Sequence, residues 1–324
     1  MRALARWLLA LLLVAGAGTG SAAFWFQSWL DKPGPLTKPA LVLLPRGSGV
    51  EGIAQRLEAA GAIEDHRLLR LAAAWTGKAA QLKAGEYALE PGDTPRALLE
   101  RIAAGKVHFR KFTMPEGWSS GELLRALAQA EAMTGAVPTR LAEGSLLPET
   151  YLYSHGDARA DLLQRMARAR DEMLARLWAQ RSAELPLQNP EQAVILASIV
   201  EAETPLAEER PQVAGVFINR LRRGMKLQSD PTVIYGITLG ERELERPLSR
   251  ADLAQPTPWN TYSIDALPPT PINHPGRASL AAVLNPASTR ALYFVADGKS
   301  GHVFAETYEQ HLRNVAAYRA SQGR

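Results

Sequence analysis

The sequence predicts an α+β protein in which helices outnumber strands and the strands are short and local. An uncharged apolar run opens the chain, short strand-like and capped helical stretches alternate to about residue 106, and mainly helical patterns follow. With 324 residues, 46% of them hydrophobic, the chain can fill more than one core. We expect an N-terminal stub (1–6), a transmembrane anchor (7–29), a linker (30–39), a small α/β module (40–106) and a main domain (107–324).

The N-terminal run from Trp7 to Trp29 carries no charge and is long enough to cross a bilayer. Arg2 and Arg6 precede it, which predicts a cytoplasmic N terminus and a single-pass protein with its remainder outside. A cleaved signal peptide is the alternative, because small residues occupy 20–23. We favour the retained anchor because the apolar run continues past those small residues.

The segment 40–106 has the pattern of a small module with two strands and three helices. Ala40–Leu44 and Gly85–Leu89 are predicted as strands. Three prolines and a glycine in 31–39 predict a stiff spacer before it. The helices are expected at 50–60, from the cap Asp65 to Trp75, and at 95–104.

Helical periodicity dominates the main domain. A long amphipathic helix is predicted at 159–180. Strand-like segments at 292–296 and 302–305 flank a turn and predict a C-terminal β-hairpin. The other elements are a strand from Val107, a helix that opens at Ser119 or Ser120, and a closing helix at 307–319.

Composition excludes several classes of chemistry. The chain has no cysteine, so disulfides, thiol catalysis and cysteine-rich zinc sites are excluded. None of the six histidines falls in a metal-ligand spacing, and no P-loop, dinucleotide fingerprint or GxSxG elbow is present, so no metal and no cofactor is predicted. The formal charge of +4 is spread along the chain, and without a basic stripe it does not indicate nucleic-acid binding.

Glu201 is the most informative single residue. It ends a helix that Asn189 can cap and Pro190 can open, and that is otherwise apolar on every face. Burial of a carboxylate raises its pKa, which is what a general acid needs, so we predict that Glu201 is an acid catalyst. The alternative is a structural ion pair with Arg210 or Arg220.

A polar segment follows the next predicted helix. That helix spans about 206–224, and the residues at 227–232 then form a polar turn between apolar runs, which indicates a lined cleft. Asp230 is a candidate second carboxylate, but Asp before Pro is also an ordinary turn residue, and we favour the turn. Glu203 is expected to point away from Glu201 on a regular helix.

Five segments of the chain carry long, ordered motifs: ASIVEAET (197–204), VFINRL to TVIYG (216–236), WNTY (259–262), LPPTPI (267–272) and LYFVADGKSGHVF (292–304). Together they resemble the endolytic murein transglycosylases, the MltG-type or YceG-like family. The resemblance covers essentially the whole chain and implies an enzyme without a cofactor. Such an enzyme cuts bonds between N-acetylmuramic acid and N-acetylglucosamine inside nascent peptidoglycan strands, leaves 1,6-anhydro ends and limits strand length.

The resemblance also implies roles for individual residues. The glutamate matching Glu201 is the catalytic acid in this family, and it would protonate the leaving oxygen and then accept the proton of the muramic 6-hydroxyl. That hydroxyl attacks its own anomeric carbon, and a well-oriented intramolecular attack can replace an enzymic nucleophile. The expected sugar-binding residues are Ser198, Gln228, Asp230, Tyr235, Asn260 and Tyr262.

The chain departs from the family pattern at several positions. Thr270 stands where the family usually has Gly, and His274 where a small or amide residue is usual. The block EGSLLPETY at 143–151 also differs. These departures concern the subsites for individual sugars.

Location, partners and alternative functions follow from the same resemblance. It implies a bacterial inner-membrane protein with a periplasmic catalytic domain, peptidoglycan as substrate, and synthases or division proteins as further partners. The module at 40–106 loosely resembles LysM modules, which grip glycan in other proteins; a spacer without a ligand is the alternative. A hydrolytic muramidase using Asp230 or Glu203, and a non-catalytic peptidoglycan-binding scaffold for cell-wall synthases, are the competing functions.

Overall fold

The computed structural model describes residues 2–299 and 301–322. The chain divides into two compact units, Met1–Arg110 and Lys111–Arg324. The described residues form helices and short strands, and the strands pair into two-stranded sheets. This confirms the mixed, mainly helical class that the sequence predicts.

The first unit opens with a long helix, α1 (Arg2–Asp31). Its Arg6–Asp31 part is long and apolar enough to cross a membrane. The end of α1 is buried in the core of the first unit, where Trp29 is only 7% exposed and Phe26 stacks on Trp75 at 5.1 Å between ring centroids. Trp29 therefore packs inward instead of facing a lipid boundary, because the helix runs on into the folded unit.

The rest of the first unit matches the predicted elements to within about a residue. Strands β1 and β2 are antiparallel, with Ala40 opposite Leu89 and Leu44 opposite Gly85. Asp65 and Thr94 each accept backbone N–H groups and cap the helices that follow them. The elements are β1 (Ala40–Leu44), α2 (Val50–Ala59), α3 (His66–Trp75), a 3₁₀ turn (Ala79–Gln81), β2 (Gly85–Leu89) and α4 (Pro95–Ala104).

The second unit is built around a buried helix, α7, which packs against α8 and α11. The predicted long helix, here α6, and the C-terminal hairpin of β5 and β6 are confirmed. The elements are β3 (Arg110–Thr113), α5 (Ser120–Gln129), β4 (Thr150–Tyr153), α6 (Arg159–Ala179), α7 (Pro190–Glu203), α8 (Arg210–Arg222), α9 (Asp230–Thr238), α10 (Arg250–Ala254), α11 (Arg277–Leu284), β5 (Tyr293–Ala296), β6 (His302–Ala305) and α12 (Tyr308–Ser321).

Two predicted element boundaries and the predicted conformation of Asp230 are wrong. The strand expected from Val107 begins only at Arg110, and the helix expected from Leu206 begins at Arg210. Asp230 is not a turn residue; it is the first residue of α9. A proline lies in the first turn of both α8 and α9, where its missing N–H breaks no intrahelical bond, so each proline opens a helix.

The buried end of α1 predicts how N-terminal truncation affects the stability of the first unit. A chain beginning at residue 40 should be less stable than one beginning at residue 22 by roughly 5 kcal/mol, because it loses the burial of Phe26, Trp29 and Leu30. Chemical unfolding of the two chains, followed by circular dichroism, measures this difference. Equal unfolding midpoints would contradict the packing.

Candidate active site

Helix α7 carries the two carboxylates of the site on its last turn. The Asn189 side chain caps its start, and every residue from 193 to 200 is buried. Ser198, predicted to bind substrate, is 0% exposed; its Oγ donates to Ile195 O at 2.7 Å and accepts from Ile272 N at 3.0 Å. Its hydroxyl thus joins α7 to the loop that precedes α11.

Glu201 lies in an ion pair. Its side chain is only 5% exposed, and Arg210 Nη2 donates to its Oε1 at 2.7 Å. The Gly276 N–H donates to its Oε2 at 2.9 Å, and Arg210 also contacts Glu116 at 3.1 Å. The ion-pair alternative is therefore present, with Arg210 and not Arg220 as the partner. A guanidinium and a backbone N–H thus each occupy one oxygen of the Glu201 side chain.

Glu203 has a different environment. It lies two residues further along α7, and its Oε1 accepts a 2.5 Å hydrogen bond from Ser229 Oγ. Burial raises the pKa of Glu203 from 4.5 to about 7, and the Ser229 hydroxyl opposes this shift while the nearby charge of Asp230 adds to it. A carboxyl group with such a pKa can carry a proton at neutral pH and release it in a reaction.

Three of the predicted binding residues surround Glu203 and not Glu201. Gln228, Asp230 and Tyr262 line the same cavity as Glu203, which has a volume of about 590 Å³ and is called the acid cavity below. The Tyr262 hydroxyl donates to Asp230 Oδ1 at 2.6 Å. The cavity therefore combines a proton-bearing carboxyl group with a carboxylate, an amide and a phenol, all suited to sugar hydroxyl groups.

Gln228 is held in a strained backbone conformation. Its φ is 53°, in the left-handed region that residues other than glycine rarely adopt. Arg220 fixes this segment, since its guanidinium donates to Leu227 O at 2.8 Å and to Gln228 Oε1 at 3.2 Å. Strain maintained by surrounding contacts is common where side chains meet a ligand.

Asn260, which was predicted to bind sugar, is buried and does not line the acid cavity. It is 0% exposed, and its Nδ2 donates to Leu253 O at 3.0 Å and Gln255 O at 2.7 Å. Its Oδ1 accepts from Tyr262 N at 2.9 Å. In this conformation Asn260 shapes the loop that presents Tyr262.

A second cavity is named the middle cavity. It measures about 320 Å³ and is lined in part by Ala202, Pro231 and Tyr235. Ala202 precedes the acid-cavity residue Glu203 in sequence and Pro231 follows Asp230, so residues at the end of α7 and the start of α9 line both cavities, although no single residue lines both.

The third cavity contains the remaining predicted residue, Tyr235. It measures about 620 Å³, and we name it the Tyr–Trp cavity after Tyr235 and Trp259, whose rings meet edge-on at 5.4 Å. Tyr235 also lines the middle cavity, so these two cavities are neighbours. Burial raises the pKa of the Tyr235 hydroxyl to about 12, so this group stays a neutral donor and acceptor.

A buried polar cluster lies at the wall of the Tyr–Trp cavity. Ser120 N donates to both oxygens of Glu143, and Ser120 Oγ lies 3.0 Å from His274 Nε2. His274 Nδ1 accepts from Leu146 N, and burial lowers the pKa of this histidine to about 4. The imidazole is thus neutral with its proton on Nε2, so it donates to the serine and cannot act as its base. This geometry excludes a Ser-His-Glu catalytic triad despite the residue types.

Ser229 binds Glu203 and Glu143 lines the Tyr–Trp cavity, and no sequence signal marks either residue as functional. Ser229 lies in the polar segment 227–232, and Glu143 begins a block that departs from the family pattern. Neither has a motif of its own. The described residues contain one group with metal-ligand spacing, Glu58, Asp65 and His66, in the first unit, where Asp65 already caps α3.

Comparisons with known proteins agree with the sequence resemblance. Residues 42–317 match the sequence model of the YceG-like family. A Streptococcus pneumoniae protein named endolytic murein transglycosylase is 29% identical over 91% of this chain, which spans 62% of that protein's length. A Bacillus subtilis protein of the same name is 25% identical, with 94% of this chain and 91% of the relative covered. The crystal structure of a YceG-like protein from Listeria monocytogenes is 25% identical, with a TM-score of 0.52, 86% of this chain and 99% of that chain covered.

The two carboxylates should respond oppositely to neutralisation. A raised pKa means that Glu203 favours folding below about pH 4.5, and that this contribution is lost as pH rises through about 7. Glu203→Gln should therefore match the parent near pH 4.5 and exceed its stability at pH 8 by up to roughly 3 kcal/mol. Glu201→Gln should destabilise by about 2–4 kcal/mol at pH 8, because Arg210 loses its buried partner.

Thermal unfolding of both variants and the parent between pH 4.5 and 8 tests this. The assignment of distinct environments fails if Glu203→Gln loses stability at pH 8, or if the two variants behave alike.

Proposed function

This chain belongs to the YceG-like family, and we propose that it is an endolytic lytic transglycosylase of peptidoglycan. The names of the curated relatives support this substrate and reaction. The proposed reaction cleaves the bond between N-acetylmuramic acid and N-acetylglucosamine within a strand and leaves a 1,6-anhydro end. One observation carries the proposal: a carboxyl group with a pKa near neutrality lines a cavity beside hydroxyl, amide and carboxylate groups.

The contacts favour Glu203 over Glu201 as the acid. Glu201 is occupied by Arg210 and the Gly276 N–H, whereas Glu203 faces the acid cavity and is held by one serine hydroxyl. The acid role predicted for Glu201 remains a proposal to be tested against Glu203. If Glu203 is the acid, Glu201 and Arg210 would serve to fix the end of α7 and the loop before α11.

The proposed steps need one acid and no water. Protonated Glu203 gives its proton to the glycosidic oxygen as the bond from that oxygen to the anomeric carbon breaks. The muramic 6-hydroxyl oxygen then bonds to the same carbon, and its proton passes to the Glu203 carboxylate, which restores the starting state. Effective molarities of well-oriented intramolecular attacks reach roughly 10⁵ M or more, which compensates for the missing enzymic nucleophile.

The other cavity residues are proposed to position the sugars. The hydrogen bond between Tyr262 and Asp230 fixes both groups, and Gln228 offers an amide to hydroxyl or N-acetyl groups. Asp230 also favours one competing function, because a second carboxylate in the same cavity as Glu203 could activate water as in a muramidase. The products distinguish these two reactions.

Cleavage inside a strand requires a binding surface that accepts sugars on both sides of the broken bond. Tyr235 lines both the Tyr–Trp cavity and the middle cavity, and the middle cavity is lined by the chain neighbours of Glu203 and Asp230 in the acid cavity. We propose that a strand lies along this series. The proposed catalytic domain is 107–324.

Attachment to the inner membrane is the remaining part of the proposal. The exposed part of the apolar helix, before Phe26, would be the single membrane anchor, with a cytoplasmic N terminus and the rest in the periplasm. The module at 40–106 would be a LysM-like glycan contact or a spacer. Peptidoglycan synthases or division proteins are proposed as further partners.

Products of the full chain in detergent test the reaction and its acid together. Peptidoglycan strands are incubated with the parent, Glu203→Gln and Glu201→Gln, and the ends are analysed by mass spectrometry. We expect anhydromuramic ends with the parent, a loss of about 10²–10⁴-fold with Glu203→Gln, and a smaller loss with Glu201→Gln that follows its stability.

Each other outcome has a definite meaning. Loss of activity only in a folded Glu201→Gln variant would return the acid role to Glu201. Reducing ends would indicate a muramidase. Strand binding by the parent without any cleavage would indicate a scaffold.

A further inference from the structure

The Tyr–Trp cavity is large enough to hold a ligand and lies outside the acid cavity. Its volume of about 620 Å³ is within the range of small-molecule sites, and it shares no lining residue with the acid cavity. The bond-cleaving steps proposed above involve none of its residues, and no role was given to its residues there. Its lining includes the half-buried Trp259, whose orientation is fixed by its neighbours.

Thr270 fixes the tryptophan ring. Trp259 Nε1 donates to Thr270 Oγ1 at 2.9 Å, and the Thr270 hydroxyl donates to Pro271 O at 3.1 Å. The edge of Tyr235 limits movement on another side, with an angle of 67° between the ring planes. A glycine at 270 could not supply this acceptor, so the rigid ring is a feature of this chain.

The polar groups of the cavity complement the aromatic ring. Glu143, Ser120 and Thr270 offer oxygens, and Pro269 and Pro271 add apolar surface. Burial raises the pKa of Glu143 to about 7, with the charge of Glu122 adding to the shift, so its carboxyl group can donate as well as accept a hydrogen bond. A pyranose ring has an apolar C–H face and a polar hydroxyl edge, and it fits an aromatic surface beside a few oxygens.

We propose that the Tyr–Trp cavity binds a sugar residue of the same glycan strand, away from the cleaved bond, with Trp259 as the stacking surface. The occupant follows from proximity, because Tyr235 lines both this cavity and the middle cavity, and the middle cavity is lined by the chain neighbours of Glu203 and Asp230 in the acid cavity. The inference rests on the proposed function for the identity of the strand. Thr270 is a positioning residue that acts through Trp259.

Binding measured without cleavage separates this inference from the proposed reaction. The full chain carrying Glu203→Gln, in detergent, is titrated calorimetrically with peptide-free glycan strands of increasing length. Trp259→Ala should weaken binding about 3- to 10-fold, which corresponds to an aromatic contact of about 0.5–1.5 kcal/mol. The loss should be confined to strands long enough to reach the cavity.

Matched variants separate stacking from folding. Trp259→Phe keeps a ring and should restore most of the affinity. Thr270→Val removes the acceptor and should weaken binding to long strands, whereas Thr270→Ser keeps the acceptor and should not. Melting temperatures of all four variants identify any effect that comes from unfolding.

Three results would overturn the inference. Unchanged affinity of Trp259→Ala for long strands would mean that the cavity holds no sugar. An equal loss for all strand lengths with a lower melting temperature would assign Trp259 a structural role. If Trp259→Ala weakens binding only when the titration is repeated with peptide-bearing strands, the cavity would be assigned to the stem peptide. The two proposals can also fail separately. If the parent chain produces no anhydro ends but Trp259→Ala still weakens strand binding, the proposed reaction is wrong and the proposed sugar site is retained.

Discussion

The burial of α7 is the constraint on which the site depends. Residues 193–200 have no exposed face, so the helix cannot rotate or slide without opening the core that α8 and α11 complete. Its last turn is held where Glu201 and Glu203 leave the helix in different directions. One carboxylate meets a guanidinium and the other meets a hydroxyl in a cavity. Two similar groups thereby obtain different partners, and burial raises the pKa of Glu203.

The loop 272–276 holds several parts of the second unit together. It bonds to Ser198 through Ile272, to Glu201 through Gly276, and to the α5 N-terminal region through His274. The neutral, fully buried imidazole of His274 suits this task because it accepts one hydrogen bond and donates another without introducing a charge. The loop therefore connects α7, which carries Glu201 and Glu203, with the wall of the Tyr–Trp cavity.

Local chemistry made much of the fold predictable. Asp65, Thr94 and Asn189 cap helices where their side chains indicate, because a cap depends only on residues within a few positions. The environment of Glu203 was not predictable in the same way. Its hydrogen-bond partner lies 26 residues away, at Ser229, and no periodicity encodes a contact formed by tertiary packing. The same limit applies to Trp29, whose inward packing depends on a distant module.

The burial of the end of α1 in the core of the first unit has a mechanical consequence. Phe26, Trp29 and Leu30 belong to the helix and to the core of that unit, so no flexible hinge separates the two. In the proposed membrane-anchored state, the first unit would turn and tilt with its anchor as one body. Any force that draws the unit away from the bilayer would act directly on the anchor, and the helix would leave the lipid or the core would rupture.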